Sequence, residues 1–204
     1  ASHLGDERTL LLAAARVVLY GDRGTLADQI DALGRARPLP PPLNPPRPGP
    51  VPPGSAPPAA NLQFFNGTGG FTADGREYVV TGTPPLAWAN VLANPQAGCV
   101  VTDAGLGPTW VGNSQANRLT PWHNDPVSDP PAEVVYLRDE ETGAVWTPTP
   151  LPAGGACGVW HGAGYTSFAQ DRGPLATELT AFVPVADPVK VIRLRVHNRG
   201  DKTR

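Results

Sequence analysis

The stretch from Asn113 to Asp129, NSQANRLTPWHNDPVSD, places many reactive side chains close together. It holds the amides Asn113, Asn117 and Asn124, the cation Arg118, Trp122, His123 and the carboxylates Asp125 and Asp129. Two carboxylates beside an aromatic ring are the parts of a glycosidase acid and base, whose spacing decides retention or inversion. Each aspartate also precedes a proline, Pro126 or Pro130, and so suits an Asx-turn in which it accepts backbone N–H bonds. A general acid needs a raised pKa, and nothing in the sequence raises either one, so the turn is the expectation. Arg118 presents a planar fork for an anion or a sugar hydroxyl. It serves equally as a strut pairing with Asp125 or Asp129. Among five tryptophans, Trp146 falls on an alternating core position, and Trp122, between Pro121 and His123, is the ring expected at the surface.

A second polar group is His161 to Tyr165, a glycine-rich turn carrying a histidine and a tyrosine. His161 and His123 can form a catalytic pair only with a third group to orient them, and none stands at a recognisable spacing. No HxH or HExxH pattern is present, and Cys99 and Cys157 lie far apart, so neither a metal nor another cofactor is expected. The glycines of Asn66 to Gly70 precede no helix, so they read as a tight bend rather than a phosphate cradle.

The elements that must position these groups fall into three zones. In residues 1–37, Leu4, Leu11, Ala14, Ala15, Val18 and Leu19 recur at helical spacing. A second helix is announced by Thr25 as N-cap, with Asp28 three residues on and Leu26, Ile30 and Leu33 on one face. In residues 38–60 proline dominates: twelve of the 21 positions from Pro38 to Pro58, which reads as an extended, semi-rigid linker. Residues 61–204 read as β. Asp74-Gly75 between two strand-like runs signals a hairpin. Val134 to Leu137 and Ala144 to Thr147 flank a charged turn. Thr177 to Val185 and Val189 to Val196 alternate with period two. Strands at this spacing predict an all-β fold, a sandwich or barrel.

Bulk properties narrow the partners. A formal net charge of -2 leaves no basic surplus for nucleic acid. The apolar run from Leu10 to Tyr20 is interrupted by Arg16 and is too short to cross a bilayer. Two cysteines in 204 residues read as free buried thiols of a reducing compartment. The chain has no methionine and starts Ala-Ser-His, which reads as a segment of a longer protein.

Six motifs in order carry a resemblance: FFNGTGGF (Phe64–Phe71), GREYVV (Gly75–Val80), NRLTPWHNDPVSDP (Asn117–Pro130), YLRDEETGAVWTPTP (Tyr136–Pro150), HGAGYTSF (His161–Phe168) and FVPVADPVKV (Phe182–Val191). Together they resemble the N-terminal β-sandwich domain of glycoside hydrolase family 94, the family of cellobiose and chitobiose phosphorylases and of the C-terminal module of cyclic β-1,2-glucan synthases. LLAAARVVLYGDRGTLADQI (Leu11–Ile30) before a proline-rich spacer is most similar to the glucan synthase branch. The resemblance implies a large antiparallel β-sandwich of the galactose mutarotase-like supersandwich kind over 61–204, truncated at its C-terminus. It implies an inverting phosphorolysis performed in a following (α/α)6 barrel, so no catalytic residue transfers to this chain. The implied partners are that barrel, a β-glucan oligosaccharide and a second copy in a dimer. The implied setting is the cytoplasm, as a soluble part of an inner-membrane bacterial enzyme. Asn117, Arg118, Trp122, Asn124, Asp125, Asp129, His161 and Tyr165 are then the sugar-binding or barrel-facing candidates. An autonomous glucan-binding module and a self-contained sugar-active enzyme are the alternatives.

Overall fold

The structure is a computed structural model that describes residues 14, 15, 18–34, 50–59 and 61–204. The chain divides into two units, Ala1–Asn44 and Pro45–Arg204. In the first, α1 spans Leu26–Gly34. Its start is the expected reciprocal cap: Thr25 N–H donates to Asp28 Oδ2 at 2.9 Å, and Asp28 N–H donates to Thr25 Oγ1 at 3.2 Å. The earlier helical stripe lies largely outside the described residues. No helix among those described is long and apolar enough to cross a membrane.

The second unit is antiparallel β throughout. Its strands are β1 (Gly69–Phe71), β2 (Glu77–Val80), β3 (Ala89–Ala93), β4 (Ala97–Thr102), β5 (Leu106–Val111), β6 (Leu137–Arg138), β7 (Val145–Trp146), β8 (Gly158–Gly162), β9 (Tyr165–Arg172), β10 (Leu175–Phe182) and β11 (Val191–Asn198). One sheet has the order β1-β2-β8-β9-β10-β11, a second is β3-β4-β5, and β6 pairs with β7. The Asp74-Gly75 turn joins β1 to β2, with Gly75 at φ 70°, where a side chain would be strained. The alternation from Thr177 and from Val189 becomes β10 and β11, paired from Leu175↔Asn198 to Phe182↔Val191. The strand expected at Val134–Leu137 is reduced to the two residues of β6, opposite Val145–Trp146.

The core is the apolar layer between the two larger sheets. Val80, Val159, Phe168, Leu179 and Ala181 on one side meet Leu92, Cys99, Val101 and Leu106 on the other, all at most 2% exposed. Trp146 is also buried, in keeping with its alternating position. Asn90 on β3 ties the sheets at one end, its amide donating to Gly162 O and Tyr165 O, both at 2.9 Å. The three-stranded sheet is too small to cover all of its partner. Where β9 runs beyond its last pairing with β8, at Ala169, Ser55 continues the ladder by exchanging backbone bonds with Asp171 at 2.8 and 2.9 Å. The second half of the proline-rich stretch is therefore laid against β9.

Candidate functional site

The polar loop grows out of β5. Leu119 N–H donates to Thr109 O (2.8 Å) and Val111 N–H donates to Asn117 O (3.1 Å), so residues 117–120 run back along the strand. Asn113 caps the reversal, its Oδ1 accepting from Gln115 and Ala116 N–H, both at 2.8 Å. Arg118 Nε–H donates to Ser114 O at 2.9 Å, and its guanidinium carbon sits 5.2 Å from the Trp122 ring centroid. Arg118 is thus a strut, but its partners are a carbonyl and a ring. The pairing with Asp125 or Asp129 expected from sequence is absent from the ion pairs among the described residues. The cause is competition: both aspartates are committed to other donors. Trp122 is 45% exposed, so a flat face stays open. Asn117 and Asn124 are exposed, with Asn124 at φ 50°, a conformation that asparagine tolerates.

Asp125 forms the expected turn. Its Oδ1 accepts Val127 N–H (3.0 Å) and Ser128 N–H (3.2 Å), and its Oδ2 accepts the Ser128 hydroxyl. These bonds, led by the Ser128 hydroxyl, hold its carboxyl below the ordinary range. A lowered proton affinity is the opposite of what a general acid requires.

Asp129 points elsewhere. Its carboxylate accepts the Thr102 hydroxyl, and it lines a cleft of about 560 Å³ together with Asp103. Asp103 accepts Trp88 N–H at 2.7 Å, yet burial, helped by the charge of Asp129, pushes its carboxyl above the usual value. The structure therefore pairs Asp129 with Asp103 and not with Asp125. Asp103 escapes a reading of the sequence, because it sits 26 residues upstream (129 − 103) in the turn after β4. Only the β4–β5 turn brings it to the cleft, and no local motif announces it.

His161 and Tyr165 close the β8–β9 hairpin, where Gly162 pairs with Tyr165. Any Cβ at position 162 would lie 2.4 Å from the Tyr165 ring, so glycine lets that ring lie across the strand. Tyr165 Oη–H donates to Glu77 Oε1 at 2.6 Å, which pushes the phenol up to about 12. His161 Nδ1 is 3.0 Å from Thr166 Oγ1, and burial pushes the ring down to about 4. The histidine is a neutral wall residue, and no contact joins it to His123. Among the described residues, no three His, Cys, Asp or Glu side chains converge on a metal position. Both cysteines are unpaired, and burial pushes the Cys157 thiol up to about 12.

The buried ring makes stability depend on pH. His161 binds a proton at about 4 when folded and at about 6.5 when unfolded, so its contribution is complete above about 6.5 and is lost as pH falls towards 4. Urea titrations at about pH 7 and about pH 5 should show a loss of roughly 1–2 kcal/mol from this group. The loss should shrink in His161→Asn; an unchanged pH slope in that variant would disprove the assignment.

Comparison of the sequence places this chain among known proteins. A family model described as the glycosyl hydrolase 94 supersandwich domain matches residues 76–204. The chain is 32% identical to the cyclic beta-(1,2)-glucan synthase NdvB of Rhizobium meliloti (strain 1021), over 95% of this chain and 7% of that protein. It is 30% identical to an N,N'-diacetylchitobiose phosphorylase of Vibrio furnissii, over 67% of this chain and 18% of the relative. It is 31% identical to a solabiose phosphorylase of Paenibacillus borealis, over 68% and 19%. The chain thus spans less than a fifth of the length of each of these relatives. The synthase alignment takes in the N-terminal zone, whereas the phosphorylase alignments cover about as much as the sandwich alone. With an antiparallel sandwich of matching extent already in hand, the family match leads to one conclusion: this chain belongs to the glycosyl hydrolase 94 family, of which it carries the supersandwich domain.

Proposed function

We propose that this domain is a non-catalytic wall of a larger sugar-processing polypeptide, one that makes or phosphorolyses β-glucans. In this reading it packs on a separate catalytic barrel and borders the sugar cleft, and the Asn113–Asp129 loop contributes to that border. The observation that carries the reading is a set of exposed aromatic side chains beside β1. Phe64, Phe65 and Phe71 are 84%, 55% and 41% exposed. Gln63 exchanges backbone bonds with Phe71 at 2.8 and 2.9 Å, which ties the segment before β1 to its last residue. Phe64 holds φ 51°, an unfavourable conformation for a bulky residue that the surrounding bonds maintain. Large aromatic side chains left this exposed suit burial against a partner. The chemistry agrees, since the turn bonds of Asp125 lower its proton affinity, contrary to the need of a general acid. A glucan-binding module is the second reading, favoured by the Arg118–Trp122 platform.

The reading is checked by incubating the chain with inorganic phosphate and β-linked gluco-oligosaccharides. No sugar phosphate should form. Sustained release of sugar phosphate, abolished by Asp103→Asn or Asp129→Asn, would show a self-contained enzyme instead.

A further inference from the structure

On β2 and β8, Val80 and Val159 point into the core. Their neighbours Val79 and Trp160 are register partners and so leave the opposite face of the six-stranded sheet. Val79 is nevertheless only 1% exposed. That outer face is roofed by residues read from sequence as the end of the linker. Pro57, Ala59 and Leu62 share a groove of about 420 Å³ with Val79, Thr81 and Trp160. Pro57 also borders Ala169 and Asp171 of β9. Gly70 of β1 pairs with Val79, and a Cβ there would lie 2.7 Å from Gln63 O and 3.1 Å from Leu62 Cβ. The segment therefore crosses the outside of the sheet from β9 to β1.

Its two ends are held differently. At the β1 end the bonds are local. Gln63 and Phe71 exchange backbone bonds at 2.8 and 2.9 Å, Asn66 N–H donates to Gly69 O at 3.0 Å, and Gln63 Nε2 donates to Ala73 O at 2.9 Å. So short a loop costs little entropy to close. At the β9 end the partners lie 116 or 120 residues away in sequence. Ser55 exchanges bonds with Asp171 at 2.8 and 2.9 Å, and Arg172 donates to Pro52 O. Pro52, Pro53, Pro57 and Pro58 have no N–H, so the ladder cannot be extended from them. The same prolines stiffen the segment, and Asn61, at φ 58°, stands between the two ends.

We propose that residues 52–59 form a hinged strap, latched to β9 at Ser55 and swinging about the local hairpin closed by Gln63 and Phe71. Opening the latch uncovers the outer face at Val79 and Trp160 without unfolding the sheet. Residues before Pro52 join the sandwich at the latched end, so tension from them acts on the latch and not on the hinge. This goes beyond the scaffold reading and does not depend on it.

The test is amide hydrogen exchange on the 204-residue chain in increasing urea. Asp171 N–H should exchange through an opening whose urea dependence is well below that of amides in β10, while Phe71 N–H stays protected through that opening. Ser55→Pro removes the N–H donated to Asp171 O. It should accelerate exchange at Asp171 about tenfold and shift the Trp160 indole resonance, with exchange at Phe71 unchanged. Equal urea dependence for Asp171 and β10 would make the segment a fixed part of the sheet and overturn the proposal. Faster exchange at Phe71 together with Asp171 would overturn it too, since the strap would then leave without a hinge. So would an unmoved Trp160 indole, because the face would have stayed covered. The urea series on the parent chain needs no variant and decides the matter if Ser55→Pro does not fold.

Discussion

Phe168→Ala should lower folding stability by about 3–5 kcal/mol and the melting temperature by roughly 10 °C. Phe168 is 0% exposed at the middle of β9, flanked in register by Val159 of β8 and Leu179 of β10. Across the layer it belongs to the cluster with Leu92, Cys99, Val101 and Leu106 of the second sheet. Removing the ring loses its transfer free energy and also leaves a void. That void closes poorly, because Asn90 bonds the second sheet to the β8–β9 turn and holds the layers at a set spacing. Urea denaturation of the variant measures the effect. A loss under about 1 kcal/mol would mean that the sheets collapse freely onto the gap, contrary to this account.

Arg172→Met should cost about 2–4 kcal/mol, and its effect should be concentrated in one place. Arg172 is only 5% exposed at the end of β9. Its guanidinium donates to Pro52 O, Gly154 O and Gln170 Oε1, none of them charged, and faces the Trp146 ring with 5.9 Å to the centroid. Burial lowers its pKa, so the ion itself is held at some expense. Two effects therefore compete on substitution. Methionine relieves the desolvation of the cation, but it leaves Pro52 O without a donor and Gly154 O with only Gln170 Nε2, at 2.8 Å. The lost charge-assisted bonds outweigh the relief, since the Gly154 carbonyl is buried and cannot turn to water. The proline-rich segment laid against β9 should loosen first. Hydrogen exchange at Ser55 N–H, which donates to Asp171 O at 2.8 Å, should accelerate well beyond exchange in β10. A variant as stable as the parent, with Ser55 still protected, would show that relieving the buried cation outweighs losing its hydrogen bonds.

What could be foreseen here was local. Thr25 and Asp28 are three residues apart, and a capping box needs nothing else. Asp74-Gly75 specifies a hairpin because the backbone conformation that joins β1 and β2 is one glycine adopts freely. β11 alternates because one of its faces is wet, with Arg193 and Arg195 outward and Ile192 and Leu194 packed on the core. β4 defied the same logic. Ala97 to Thr102 is buried on both faces, so it shows no period, and a bulge shifts its register between Cys99 and Val101. β8 was hidden by its glycines, which exist so that the Trp160 and Tyr165 rings can lie over Gly158 and Gly162.

The sites divide along the same line. That Asp125 would close a turn on Ser128 was decided within four residues, so sequence alone determined its chemistry. It also determined the all-β class, the reversals at glycine, and the family, whose motifs are strings of neighbours. Only the tertiary structure decided which distant residues meet. It brought Asp129 to Asp103, turned Arg118 onto Trp122, and set His161 beside Tyr78 through the β2–β8 register. The physical reason is that burial, which fixes the proton affinity of a carboxyl or an imidazole, belongs to packed layers. No residue can be read as buried until the sheet across from it is in place.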